Sequence, residues 1–314
     1  MKVLVTGGAG YIGSITVTKL INEGFEVNVL DDLSTGHKDN IHPKANFTKG
    51  SILDPTSVNR ALSGCDIVIH LAAKSIVSES VEKPELYEQV NVEGTRILLE
   101  SAIENKVSKF IFASTASVYS PRLNEIVNEQ SEIHPNNPYG ESKARAEKLI
   151  DSLNSSASLT AVVFRFFNVA GAYKDNNFKD LYENHDPETH LMPNLVKKHA
   201  TNDFCIYGND YDTPDGTCVR DYLHVLDVVE AFLLTIRSTF NGSYNVMNLG
   251  TAKGYSVLEV IEVFKNLSKT DLNIKYSHRR PGDTSTLVTS YDKAKQLIHW
   301  SPNRNLLKII YDYI

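Results

Sequence analysis

Lys2-Val3-Leu4-Val5-Thr6-Gly7-Gly8-Ala9-Gly10-Tyr11-Ile12-Gly13 opens the chain and decides its fold. The run Val3–Thr6 is apolar and β-branched, as in a strand, and Gly7, Gly10 and Gly13 follow at the spacing that opens a helix. Such glycines permit a tight turn and let main-chain N–H groups approach a pyrophosphate, which the positive end of the helix dipole also favours. Asp31 falls at the end of the next apolar run, Val27–Leu30, about twenty residues on, where a carboxylate accepts bonds from a ribose diol. The same carboxylate repels a 2′-phosphate, so the reading is a site for NAD rather than NADP.

Further apolar runs recur at Ile67–Leu71, Phe110–Ser114 and Leu159–Phe164, with helix-like stretches between most of them. They are nearly continuous, as expected of parallel strands covered on both faces, and predict an α/β fold with a Rossmann-type doubly wound sheet. One long helix is expected over Glu88–Glu104. Asn137 and Pro138 supply a capping residue and a first-turn proline for another, which carries Tyr139. After Asn168 the composition changes: Tyr173–His190 and Gly208–Gly216, rich in Asn, Asp, Pro and Gly, read as long surface loops of the kind that cover sites. Helical patterns return at Val225–Arg237, Val257–Leu267 and Tyr291–Ile298, with a strand at Ser243–Leu249. The division expected is a cofactor-binding domain over 1–168, to which later segments can return, and a smaller mixed α/β part over 169–314.

The 314 residues, 41% hydrophobic, suffice for a sizeable core, and a net charge of −6 with no basic stripe argues against a nucleic-acid partner. Cys65, Cys205 and Cys218 are odd in number and far apart, which suits reduced thiols better than disulfides or a metal cluster, and no metal ligand set is read from the chain. With no leader pattern at the N-terminus and no apolar run of the ~18 residues that span a bilayer, a soluble cytoplasmic protein is expected, and the sequons at Asn46, Asn154, Asn241 and Asn266 read as chance.

Tyr139 and Lys143 stand four residues apart, about one helical turn, so phenol and ammonium project from one face and can meet over a common ligand. A cation beside the phenol is expected to favour phenolate and draw its pKa toward the range of a working base. Downstream of a dinucleotide fingerprint, the pair points to a redox enzyme.

With these motifs the chain resembles the extended short-chain dehydrogenase/reductase family over essentially its whole length. Within that family it is most similar to the NAD-dependent 4-epimerases of UDP-hexoses, through Asp31-Asp32-Leu33-Ser34-Thr35-Gly36, Gly208-Asn209-Asp210-Tyr211 and Val219-Arg220-Asp221-Tyr222-Leu223-His224-Val225. The resemblance implies that Tyr11 and Ile12 meet the pyrophosphate, that Asp31, Asp32 and Ser34 take the adenosine end, and that Ser51 and Ile52 meet the adenine. Leu71, Ala72 and Ala73 would line the middle of the cofactor, with Asn91 on the nicotinamide side and Phe167 among its contacts. Ser51 stands where the family usually has Asp, and a hydroxyl accepts a weaker bond from the adenine amino group.

For the chemistry, the resemblance implies that Thr115 bonds the sugar hydroxyl and Tyr139 removes the C4 hydroxyl proton. The C4 hydride passes to NAD, Lys143 holds the nicotinamide ribose, and a transient 4-keto sugar turns over before the hydride returns to its other face. A ring that must turn cannot be gripped at every hydroxyl, so the nucleotide must carry the binding. Arg220 and Arg280 can clamp a diphosphate, Asn168 can donate to it, and Tyr207 can stack on uracil. The family adds the main chain at Leu191 and Asp283 for the uridine ribose. His190 replaces a common Asn. Leu287 matches a sugar-pocket position that is bulkier, often Tyr, in members restricted to unacetylated hexoses, so UDP-GlcNAc and UDP-GalNAc join UDP-glucose and UDP-galactose as expected substrates.

Four alternatives stand beside this reading, one of them simple net oxidation of the nucleotide sugar, which no residue of the chain argues against. A 4,6-dehydratase or a uronate decarboxylase would need acidic residues where Ala116-Ser117 stand. A non-catalytic NAD-binding sensor commonly loses the Tyr or Lys retained here. The family also pairs subunits through helices matching Glu88–Glu104 and Tyr139–Leu153, so a homodimer with a four-helix interface is expected; Leu98, Leu99 and Ala102 face either that partner or the sheet.

Overall fold

A computed structural model describes residues 1–120, 125–154, 159–185, 188–198, 203–280 and 282–314. Residues 186 and 187 of the loop expected over 173–190, and Pro281 of the Arg279–Asp283 run, lie outside the described residues. Seven parallel strands make the main sheet: β1 (Lys2–Thr6), β2 (Glu26–Asp31), β3 (Asn46–Lys49), β4 (Ile67–His70), β5 (Lys109–Thr115), β6 (Thr160–Phe166) and β7 (Tyr244–Leu249). Their order is β7-β6-β5-β4-β1-β2-β3. The order reverses between β1 and β4, and in such a sheet the crevice beyond the carboxyl ends at that reversal receives the ligand.

Side-chain alternation along β1 shows both faces to be covered. Val3 and Val5 join one apolar cluster with Ile15, Val17 and Phe232, from helices α1 (Tyr11–Asn22) and the later Val225–Arg237. Leu4 joins another with Val58, Leu98, Leu99 and Ile150. These belong to α2 (Pro55–Leu62), α3 (Gly94–Glu104) and α4 (Pro138–Asn154). Leu98, Leu99 and Ala102 are fully buried against the sheet, so they offer nothing to a partner.

The helix expected over Glu88–Glu104 is interrupted. A four-residue α-turn at Pro84–Tyr87 is followed by a π-helical stretch, Glu88–Glu93, before α3 begins. The wide turn accompanies Asn91, whose buried amide bonds both backbone groups of Lys74 and the Ser142 hydroxyl. Single π-turns inside α-helices mark such functional distortions.

The later residues build a second layer beyond the strand ends. Val219–His224 is flanked by Gly254–Ser256 and Thr286–Thr289 and also pairs with Asn168–Ala170. Its own core holds Leu195, Ile206, Tyr222, Val260 and Ile309. The polar stretch after Tyr173 is not free of regular structure, because Leu181–Tyr182 pairs antiparallel with Ala172–Tyr173.

One buried histidine stands in each layer. The His70 ring bonds Thr6 at 2.7 Å and Thr95 at 3.0 Å, while His224 accepts from Leu226 N and bonds Asp312 at 2.8 Å. Burial lowers their pKa values to about 3 and about 4. Both lie below the unfolded value, so the unfolded chain binds more protons between pH 6.5 and about 4 and stability falls on acidification through that window. Each imidazole is expected to cost about 2 kcal/mol between pH 7 and pH 5. Denaturant unfolding at the two pH values checks this: His224→Gln should lessen the loss by about 2 kcal/mol, and an unchanged loss would refute the assignment.

Candidate active site

A cleft of about 1120 Å³ runs from the glycine turn, past the end of β5, to the second layer. Of the residues assigned above to cofactor, sugar or nucleotide, all but Asn91 line it. Asn91 stands behind the wall, 1% exposed, with its amide occupied by Lys74 and Ser142. It positions the loop at Lys74 and the first turn of α4.

The first turn of α1 carries no acidic residue, and no side chain caps it. Gly13 packs so tightly that a Cβ would lie 2.0 Å from Gly7 O. A bare positive helix end against a close backbone turn suits a pyrophosphate. Asp31 is fixed at the end of β2 by N–H bonds from Ala9 (2.9 Å) and Leu33 (2.8 Å). Burial raises its pKa and the two N–H bonds oppose that rise, while the carboxylate lines the cleft where an adenosine ribose would lie. Ser51 Oγ accepts from Leu53 N at 3.1 Å and lines the same end. These residues fit NAD.

At the centre, α4 meets the end of β5. Asn137 Oδ1 accepts from Gly140 N at 2.9 Å, the cap anticipated for this helix. Gly140 lets the helix touch the turn after Thr115, where a Cβ would come within 2.2 Å of Ser117 O. That approach sets Tyr139 near Thr115, whose Oγ1 accepts from Ser117 N at 3.1 Å, and both line the cleft. Lys143, 3% exposed, donates to Ala113 O at 2.7 Å and lies 4.6 Å from the Phe112 ring centroid.

The electrostatics correct the expectation for this pair. Burial raises the Tyr139 phenol, opposed by Thr115, and burial lowers the Lys143 ammonium to about 7, opposed by Glu147. Desolvation dominates both groups, and neither figures among the causes that shift the other. Glu147, one turn after Lys143, was not singled out from the sequence. It forms a buried ion pair with Arg165 of β6 at 2.6 Å and accepts from Ser114, which locks α4 to the sheet. Its spacing from Lys143 was the available signal.

At the far end Arg220, 11% exposed, donates to Val219 O at 2.9 Å and lies 3.5 Å from Asp283. The Arg280 guanidinium stacks 4.1 Å from the Tyr207 ring centroid and bonds Thr189 O. One face of Tyr207 is thereby covered by arginine. Leu287 packs with Ala116 and Phe167 and lines the cleft with Thr115. Glu183, His185 and His190 also reach this rim, the first two unremarked in the sequence reading.

The arrangement has relatives. Residues 3–250 match the model of the NAD dependent epimerase/dehydratase family. The chain is 42% identical to the UDP-glucose 4-epimerase of Lactobacillus helveticus, over 96% of this chain and 92% of that one. The crystal structure of the Brucella ovis UDP-glucose 4-epimerase in complex with NAD superposes with a TM-score of 0.91 at 35% identity, covering 99% of this chain and 96% of that one. That of the Bifidobacterium longum enzyme, in complex with NAD+ and UDP, superposes with a TM-score of 0.93 at 32% identity, covering 100% and 97%.

Proposed function

The chain belongs to the NAD dependent epimerase/dehydratase family, and on that premise we propose that it interconverts UDP-hexoses epimeric at C4, with NAD as its cofactor. The observation that carries the reading is the meeting of Thr115, Tyr139 and Lys143 at the end of β5, in one cleft with Arg220 and Arg280. Bound NAD supplies the acceptor and donor of the C4 hydride. Tyr139 takes the C4 hydroxyl proton and returns it, and Thr115, which lines the same part of the cleft, orients that hydroxyl. Lys143, carried to the floor of the cleft by Ala113 O, holds the nicotinamide ribose. Arg220 and Arg280 grip the diphosphate, which leaves the hexose free to turn. Ala116 and Ser117 offer no acid for elimination, so the sequence reads against loss of water or carbon dioxide.

Purified protein given UDP-galactose without added NAD is expected to yield UDP-glucose. No conversion even with added NAD would overturn the proposal, and solvent deuterium at C4 of the product would exclude return of the same hydride.

Leu287 is smaller than the tyrosine that closes this position in related enzymes restricted to plain hexoses, and it borders the sugar end. UDP-N-acetylhexosamines therefore enter as well. Leu287→Tyr is expected to lower turnover of UDP-GlcNAc by roughly 10–200-fold and that of UDP-glucose far less. A wild-type protein inert toward UDP-GlcNAc would sink this extension.

In the same reading residues 1–168 hold the cofactor and 169–314 the nucleotide sugar, with Tyr244–Leu249 returning to the first sheet. The protein is a cytoplasmic homodimer, in keeping with its unpaired cysteines. The dimer forms through the outward faces of α3 and α4, where Ile97 and Leu149 stand half-buried, and sedimentation equilibrium tests it.

A further inference from the structure

Between the Leu181–Tyr182 strand and the helix Leu191–Lys198, four side chains turn toward one point: Glu183, His185, Glu188 and His190. One ligand atom from each lies within 4.8 Å of all the others. His190 Nδ1 is 2.7 Å from Glu183 Oε1 and 3.8 Å from Glu188 Oε1; His185 Nδ1 is 3.5 and 3.8 Å from the same two atoms. A tetrahedron with metal–ligand bonds of about 2.0–2.1 Å has edges of about 3.3 Å, which these separations bracket.

A second observation points to a ligand. The Glu183 side chain is only 4% exposed, and its Oε2 accepts no hydrogen bond. The phenols of Tyr11 and Tyr313 are near enough to feel its charge, but Tyr11 donates to Gly171 O instead. A buried carboxylate oxygen without a donor is costly, and a cation bound beside it removes that cost. Glu188 differs: its Oε1 accepts main-chain N–H bonds from Thr189 and His190 and its Oε2 one from His185, so the lone pair remaining for an ion is on Oε2. Two positive groups stand nearby. Lys197 sits on His185 O at 3.0 Å and 3.8 Å from Glu188, and Arg280 rests on Tyr207 and Thr189 O.

We propose that Glu183, His185 and His190, with Glu188 completing the set, bind one divalent cation of the zinc class. Two imidazoles and carboxylate oxygens are the donor set such ions take. The ion would clamp the segment that runs through Thr189 to Leu191 at the cleft rim, so its role is to hold the nucleotide end of the site in shape. It takes no part in hydride or proton transfer, and the assignment does not rest on the reaction proposed above.

The test uses tag-free full-length protein, stripped with EDTA and titrated with Co2+. One equivalent per chain is expected, with the intense visible bands of tetrahedral cobalt, lost when Zn2+ is added. His185→Ala and Glu183→Gln should each weaken Co2+ binding at least ~10-fold. No saturable uptake, or the faint spectrum of octahedral cobalt, would overturn the site and leave a cluster of His–Glu ion pairs. A thiolate charge-transfer band would place the ion on a cysteine and overturn it too. If either variant fails to fold, the wild-type stoichiometry and spectrum still decide.

Discussion

Tyr139→Phe is expected to lower kcat by about 10²–10⁴-fold, the span that a positioned proton-transfer group contributes, while UDP-sugar and NAD still bind. The substitution removes one oxygen and keeps the ring, which packs edge-on against Tyr87 with centroids 6.2 Å apart, so the fold has no reason to change. Thr115 and Lys143 remain in place but cannot replace the lost group. A threonine hydroxyl is far too weak an acid to cycle a proton near neutrality, and the Lys143 ammonium is directed to Ala113 O. Because the phenol acts on the reacting proton and contributes little to holding the nucleotide, KM should move little. Steady-state kinetics on UDP-galactose with parallel calorimetric binding of UDP checks this. A variant within tenfold of the wild-type kcat would remove Tyr139 from the chemistry, and a wild-type protein with no turnover to lose would restore the non-catalytic reading.

What the sequence revealed of this site followed the range of the interactions involved. The strand–glycine–helix opening and Asp31 were legible because turn geometry, helix dipole and strand end are all local. Tyr139 and Lys143 were legible as a pair for the same reason, since helical spacing fixes a shared face. Their proton affinities were not, because desolvation depends on what the sheet and the second layer bring over them. The strand Asn46–Lys49 escaped notice: it is four residues long, partly polar, and pairs only with β2 at the sheet edge. Tyr244–Leu249 was read as a strand, but its place beside β6 is a pairing across about eighty residues that no local pattern encodes. Leu98, Leu99 and Ala102 show the same limit, because periodicity groups them on one face without naming what that face meets. Glu183, His185, Glu188 and His190 were hidden in a stretch read as a polar loop, where irregular spacing gives no hint that the side chains converge.

Arg220→Ala is expected to raise KM for UDP-sugars by roughly 10²–10⁴-fold with kcat little changed, on a loss of two charge-assisted bonds at about 1.5–3 kcal/mol each. The argument starts from the sugar. A hexose that must present both faces of C4 can be held only loosely, so affinity has to come from the part of the substrate that stays still. A grip on the diphosphate is equal in ground and transition states, and its loss therefore appears in KM rather than kcat. Arg220 is suited to that grip: it is nearly buried, on the strand Val219–His224, and aimed by Val219 O and Asp283. Arg280 makes up only part of the loss, because its guanidinium also stacks on Tyr207. Asp283 is about one-third exposed, so losing its partner should cost little stability, and thermal unfolding should confirm an intact fold. Arg220→Lys keeps the charge without the fork and should fall between the two. Should Arg220→Ala instead depress kcat and leave KM alone, the diphosphate anchor would lie elsewhere, and a hexose free to turn would need another source of affinity.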